Sequence, residues 1–190
     1  MDGLRRKPDL DPLPTLTTSR FVLRALEPSD VQAIFRIFSD PEVTRYWGHS
    51  TLLEMGQAAD FIREAQEGCR SRQLLEWGIA DKDKPDEIIG TCAFSGWSSE
   101  HRRAEIGYAL RRDRWGGGVM AEVLPELLRF GFEEMDLNRI EADADLRNER
   151  SLKSLERLGF VREGYLRERY FVNGELQDAI LFSLLRRDRM

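Results

Sequence analysis

The stretch Arg114-Trp115-Gly116-Gly117-Gly118-Val119-Met120-Ala121-Glu122 holds the residues best suited to bind a ligand through backbone alone. Three successive glycines leave their N–H groups unobstructed and reach conformations that side chains disfavour. Met120, Val123, Leu124, Leu127 and Leu128 follow at three- and four-residue spacing, which predicts a helix over about 118–135. The head of such a helix adds unpaired N–H groups and about half a positive charge. Together these features can cradle a pyrophosphate; a plain flexible turn would use the same glycines. The loop lacks G-x-x-x-x-G-K-[ST], and with it the lysine and hydroxyl of a nucleoside-triphosphate site. Nor does it match G-x-G-x-x-G, because Ala121 holds the final position at best.

Other chemistry-bearing types are sparse. Cys69 and Cys92 are too few for a disulfide framework or a ligand cluster and read as reduced packing residues. His49 and His101 are the only histidines, so no metal is expected. The 190 residues carry a net charge of −5, which argues against a nucleic-acid footprint. No apolar run approaches the roughly 20 residues of a membrane span, so no membrane partner is expected. The opening MDGLRRKPDLDPLP has no apolar core after its basic residues and reads as a flexible leader over 1–15, not a secretory signal. The expected compartment is the cytoplasm.

The elements that must position the loop follow from periodicity. Residues 16–26 alternate as one edge or flanking strand. Pro28 and Asp40-Pro41 mark two helix starts, and a further helix covers about 52–70. Residues 74–80, 87–97 and 103–111 read as three consecutive antiparallel strands, with a polar turn over 81–86. The pattern then changes to the long helix, a strand over 138–145, and a short helix over 149–159 closed by Gly159. Two last strands, 160–171 and 175–185, turn at Asn173-Gly174. Pro125 within the long helix predicts a kink. The fold class is mixed α+β in one domain, 16–190.

At this point the chain resembles the GNAT superfamily of N-acetyltransferases, within it the RimJ/RimL-type branch that acetylates ribosomal-protein N-termini. The matching segments are TLTTSRFVLRAL, AEIGYAL, RWGGGVMAEVL, NRIEADADLRNERSLKSLERLGFVREG and NGELQDAILFSLL, in the expected order over about 16–187. The superfamily's coenzyme loop, Q/R-x-x-G-x-G/A, falls on 115–120, with Trp115 in place of Gln or Arg and Met120 in place of Gly or Ala. The resemblance implies a mostly antiparallel sheet of about seven strands with two splayed parallel strands and flanking helices. It implies acetyl-CoA as co-substrate, a homodimer through the C-terminal strands, and no metal.

Residue by residue, the resemblance puts the coenzyme diphosphate on Trp115, Gly116, Gly117, Gly118, Val119, Met120 and Ala121. The pantetheine arm lies between AEIGYALR and NRIEADAD, facing Ala109, Leu110 and Arg111. The N–H near Leu110 would receive the oxyanion, an effect worth about 3–4 kcal/mol. Asn148 resembles the residue that bonds pantetheine, a role compatible with capping a helix. Ser151 resembles the hydroxyl that protonates the departing thiolate. Glu105 is the candidate general base, acting through a water; a strand glutamate paired with Arg103 or a neighbouring arginine is its structural alternative. Glu168 and Tyr170 are second candidates, and Tyr108 reads as packing. Arg111, Arg112, Arg114, Arg150 and Lys153 are cations available to the coenzyme phosphates. Tyr46, Trp47 and Tyr170 would shape the acceptor site.

The reaction needs a neutral amine. An α-amine with a pKa of about 7.7–8.0 meets that need near neutrality far better than lysine at about 10.4. A protein N-terminal α-amine is therefore the favoured acceptor. Acetylation of a polyamine, aminoglycoside or amino acid is the first alternative, and a non-catalytic acyl-CoA-binding protein the second.

Overall fold

The computed structural model describes residues 10–172 and 174–188, so Asn173 of the expected turn lies outside the described residues. Eight strands form one sheet: β1 (Leu16–Thr17), β2 (Phe21–Ala25), β3 (Leu74–Asp81), β4 (Lys84–Ser98), β5 (Arg103–Leu110), β6 (Arg139–Asp145), β7 (Val161–Val172) and β8 (Glu175–Leu185). Their order is β1-β2-β3-β4-β5-β6-β8-β7. Every neighbouring pair is antiparallel except β5 with β6. The strand beyond the expected seven arises because residues 16–26 fold back on themselves, with Thr18 donating its N–H to the Phe21 carbonyl at 2.9 Å. The β3–β4 turn is also tighter than the polar run suggests, since β4 begins at Lys84.

Alternation decides which residues face which layer. Leu75, Trp77 and Ile79 of β3 enter one core, together with Phe94, Ala104, Ile106, Ile140, Leu155 and Phe182. Helices α4 (Val119–Glu133) and α5 (Glu149–Arg157) cover that face. The other face carries α1 (Val31–Phe38), α2 (Pro41–Thr44) and α3 (Met55–Ser71). There Ile34, Ile37, Phe38, Ala58 and Ile62 pack on Ala80, Ile88 and Ala109. Asp40 caps α2 by accepting the Glu42 N–H at 2.9 Å. No helix among the described residues is long and apolar enough to cross a membrane.

One local expectation is corrected. The flexible leader expected over 1–15 includes Leu10 and Leu13, and both are buried in the core. The Pro14 carbonyl accepts the Trp77 indole N–H at 2.8 Å, a bond that a buried indole requires. Pro125 stands inside α4, which runs from Val119 to Glu133. Both Pro125 and Ala121, whose carbonyl loses its partner, are exposed, so water can satisfy that group.

Glu122 ties the β1–β2 turn to the first turn of α4. It accepts from the Thr18 hydroxyl and the Arg20 N–H, both at 2.7 Å, and from the Arg20 guanidinium at 2.6 Å. These bonds, the backbone one foremost, hold its carboxyl at about 2, below the ordinary 4.5. Glu122→Ala should lower the unfolding free energy by about 1–3 kcal/mol. A depressed carboxylate contributes fully above its unfolded pKa and loses that contribution as pH falls toward the folded one. The gap between wild type and variant in urea titrations should therefore close between pH 4.5 and about 2.

Candidate active site

β5 and β6 pair only at Arg103 with Arg139, Ala104 with Ile140, and Glu105 with Glu141. Beyond these three pairs the strands part, although β5 continues to Leu110 and β6 to Asp145. The outer edge of β6 stays zipped to β8 from Arg139 to Asp145. A gap therefore opens inside a continuous sheet, next to the glycine loop.

The loop follows a single 3-10 turn, Arg112–Arg114. Gly116 and Gly118 have φ of +77° and +73°, a region that glycine enters freely. Gly118 is the N-cap of α4. The Trp115 indole donates to the Leu110 carbonyl at 2.8 Å and fastens the loop to the end of β5. Val119 is buried, and Met120 packs on the core cluster beneath α4 while also lining the cavity. Three members of the expected cation cluster are already engaged. Arg114 makes a two-pronged pair with Asp81, both bonds at 2.7 Å, and Arg111 pairs with Glu87 and Asp113. The Arg150 guanidinium stacks 4.6 Å from the Trp115 ring, and Lys153 pairs with Glu149.

Backbone direction corrects part of the expected lining of the gap. Arg111 donates its N–H to Ile89, and Ala109 lies opposite Thr91 in the β4–β5 register. Amides of successive residues in a strand point to opposite edges. Ala109 and Arg111 therefore turn their amides to β4, not to the gap. Leu110 turns its N–H into the gap as expected, and so do Tyr108 and Ile106.

On the α5 side, Asn148 accepts the Ser151 N–H at 3.2 Å as the helix cap. The Ser151 hydroxyl lies 2.9 Å from that of Tyr108. Tyr108, read as packing, thus joins the site. Burial raises its pKa above the ordinary 10, with the Ser151 and Ser154 hydroxyls pulling the other way, so its proton is retained near neutrality.

On the opposite face, Glu105 forms no hydrogen bond or ion pair among the described residues. Its proposed partner Arg103 pairs with Glu141 at 3.1 Å instead. Burial raises the Glu105 pKa, and the Asp143 charge adds to the effect, while Arg169 opposes it. Asp143 accepts the Tyr170 hydroxyl at 2.6 Å and Arg169 at 3.0 Å. Gly48 lets the Tyr170 ring lie close, for a Cβ there would meet it at 3.3 Å. Trp47 stands over Gly107, and the guanidinium groups of Arg45 and Arg147 lie 5.3 and 5.6 Å from the Tyr46 ring centre. Glu168 lies exposed at a bulge of β7 and does not line the cavity. Sequence reasoning missed Glu76, buried on β3 and lining the same cavity. Its signal is a carboxylate inside the otherwise apolar LLEWGIA.

One cavity of about 1310 Å³ joins these parts, from Gly116, Gly118 and Met120 through Tyr108 and Ser151 to Glu105, Trp47 and Tyr170. Among the described residues, no group of three His, Cys, Asp or Glu side chains is arranged to hold a metal.

A sheet parted beside a glycine-capped helix agrees with the match of residues 20–161 to the Acetyltransferase (GNAT) domain. The chain belongs to the GNAT family and is an N-acetyltransferase. Among its relatives is the uncharacterized N-acetyltransferase p20 of Bacillus licheniformis, 40% identical over 92% of this chain and 97% of that one. YdaF of Bacillus subtilis, provisionally named a ribosomal N-acetyltransferase, is 35% identical over 87% of this chain and 91% of its own. Mycobacterium smegmatis RimJ in complex with CoA-disulfide shares the fold at a TM-score of 0.81 and 23% identity, covering 92% of this chain and 88% of that one. Vibrio cholerae spermidine N-acetyltransferase in complex with CoA and spermine does so at 0.79 and 23%, covering 90% and 98%.

The electrostatics of the cleft can be tested directly. Asp143→Asn removes a negative charge near Glu105, which favours the ionised form. The Glu105 carboxyl should titrate at lower pH in the variant, followed by carbon NMR of labelled glutamate. An unmoved midpoint would mean that burial alone sets it.

Proposed function

We propose that this enzyme transfers acetyl from acetyl-CoA directly to a primary amine, a protein N-terminal α-amine being the favoured acceptor. One observation carries the reading: a single cavity runs from the glycine-capped head of α4, through the parted strands, to the unpaired Glu105. The free amides of 116–121 and the α4 dipole suit the coenzyme diphosphate, with Trp115 holding the loop and Asn148 and Ser151 flanking the arm.

In this reaction the amine lone pair attacks the thioester carbon, a C–N bond forms, and the carbonyl oxygen becomes an oxyanion. The Leu110 N–H, which faces the gap, receives it in this reading. Collapse breaks the C–S bond, and the thiolate takes a proton from the Ser151–Tyr108 hydroxyl pair. Glu105 accepts the proton that the amine loses, through a water. Tyr46, Trp47 and Tyr170 shape the acceptor's approach. The acidic cleft favours a small polycation as the second acceptor reading, and the spermine-bound fold relative agrees with it. We place the enzyme in the cytoplasm, consistent with two buried, unpaired cysteines. A homodimer through the C-terminal strands belongs to the same reading: β7 is a sheet edge that exposes Val161, Tyr165 and Phe171.

Purified protein mixed with acetyl-CoA and peptides starting with Ala or Ser should release free thiol. Glu105→Gln should lower turnover by more than about tenfold while coenzyme affinity, read by calorimetry, is kept. Thiol release with a polyamine and with no peptide would move the acceptor class. Unchanged turnover in Glu105→Gln would remove that residue from proton transfer.

A further inference from the structure

Glu76 is 6% exposed, and its Oε1 has no hydrogen-bond partner among the described residues. Burying an ionised carboxylate without a partner is costly, and an apolar residue would serve packing better at this position. β3 alternation sends Leu75 and Trp77 into the α4-side core, so Glu76 points to the α3 side, where it lines the cleft. Burial pushes its carboxyl up to about 7, and the nearby Thr91 hydroxyl pulls weakly the other way without a formed bond.

The surroundings describe a binding pocket for an arm. Across the sheet, Glu76 lies opposite Ala93, and Ala93 opposite Gly107. Gly107 adjoins the parted strands, about 10 Å from Glu76 at two strand spacings. These two small residues leave the floor between them low. Phe61, Trp47 and Leu74 line the same cavity as apolar walls, with the Phe38 ring tilted against Phe61 at 5.0 Å and against Trp47 at 5.4 Å. Methylene groups suit the walls, and a hydrogen-bond donor suits the carboxylate at the end.

We propose that Glu76 is a specificity-determining residue that receives a second donor group of the acceptor, ammonium or hydroxyl, on an alkyl arm of about lysine length. This rests on the Glu105 face being the acceptor cleft.

Three peptides that differ only in their first residue test it: lysine, 6-hydroxynorleucine and norleucine, with the acetylated nitrogen identified by mass spectrometry. Wild type should use the ammonium or hydroxyl end at least about tenfold better in kcat/KM than the methyl end. Glu76→Leu should bring the kcat/KM values of the three to parity, with coenzyme affinity, read by calorimetry, kept. Glu76→Gln should keep a hydroxyl preference and lose an ammonium preference, which separates the two donors. Equal use of the three ends by wild type overturns the proposal. So does a Glu76→Leu variant that melts as wild type does but loses kcat equally for all three, since that marks proton handling. Thiol release with none of the peptides would count against the peptide reading only. The same ends on 1,5-diaminopentane, 5-aminopentanol and pentylamine, followed by turnover and by binding calorimetry, would then decide Glu76. Failure of all six to bind overturns it.

Discussion

The parting of β5 from β6 after three residue pairs is the constraint on which the rest of the site depends. A sheet normally satisfies its inner amides strand to strand, and an interior break leaves them unpaired. Here the break persists because each strand is secured on its far side, β5 by β4 and β6 by β8. The freed edge faces a cavity, where a ligand or water can meet its amides. The Trp115–Leu110 bond and the Ser151–Tyr108 contact then fasten the glycine loop and α5 to the parted stretch of β5.

Charge is distributed unevenly around that opening. Arg111 and Arg114 are held by Glu87, Asp113 and Asp81, which stiffens the path from β5 into the loop. Anion binding there consequently depends more on backbone amides and the helix head than on these two guanidinium groups. On the other face, Glu141, Asp143 and Asp145 all have arginine partners. Glu105 and Glu76 do not, and both are raised by burial. Both line the cleft beside Asp143 and Asp145, carboxylates that arginines hold.

The clamp through Glu122 links these features to the N-terminal hairpin. Its carboxylate joins a turn near the start of the chain to the first turn of α4, and Arg20 also reaches the Gly117 and Gly118 carbonyls. The loop is thus held from outside by a segment distant in sequence, while its glycines keep the left-handed angles that the turn requires.

Much was legible in the sequence because it is local. Strand alternation, the 3.6-residue spacing of α4, the Asp40-Pro41 start and the glycine run each act within a few residues, and all appear as expected. The motif order also marked the parted strands, beside which Leu110, Asn148, Ser151 and Glu105 line one cavity. What tertiary structure alone decided depends on partners far along the chain. Leu10 and Leu13 became core because they cover Trp77 and Cys69, a contact that composition does not reveal. The amides of Ala109 and Arg111 turned away from the gap because the β4 register fixes their direction. Glu76 faces the cleft without a counter-ion because β3, β4 and β5 align it with Ala93 and Gly107. Periodicity specifies which face a side chain takes, but only packing determines what it meets there.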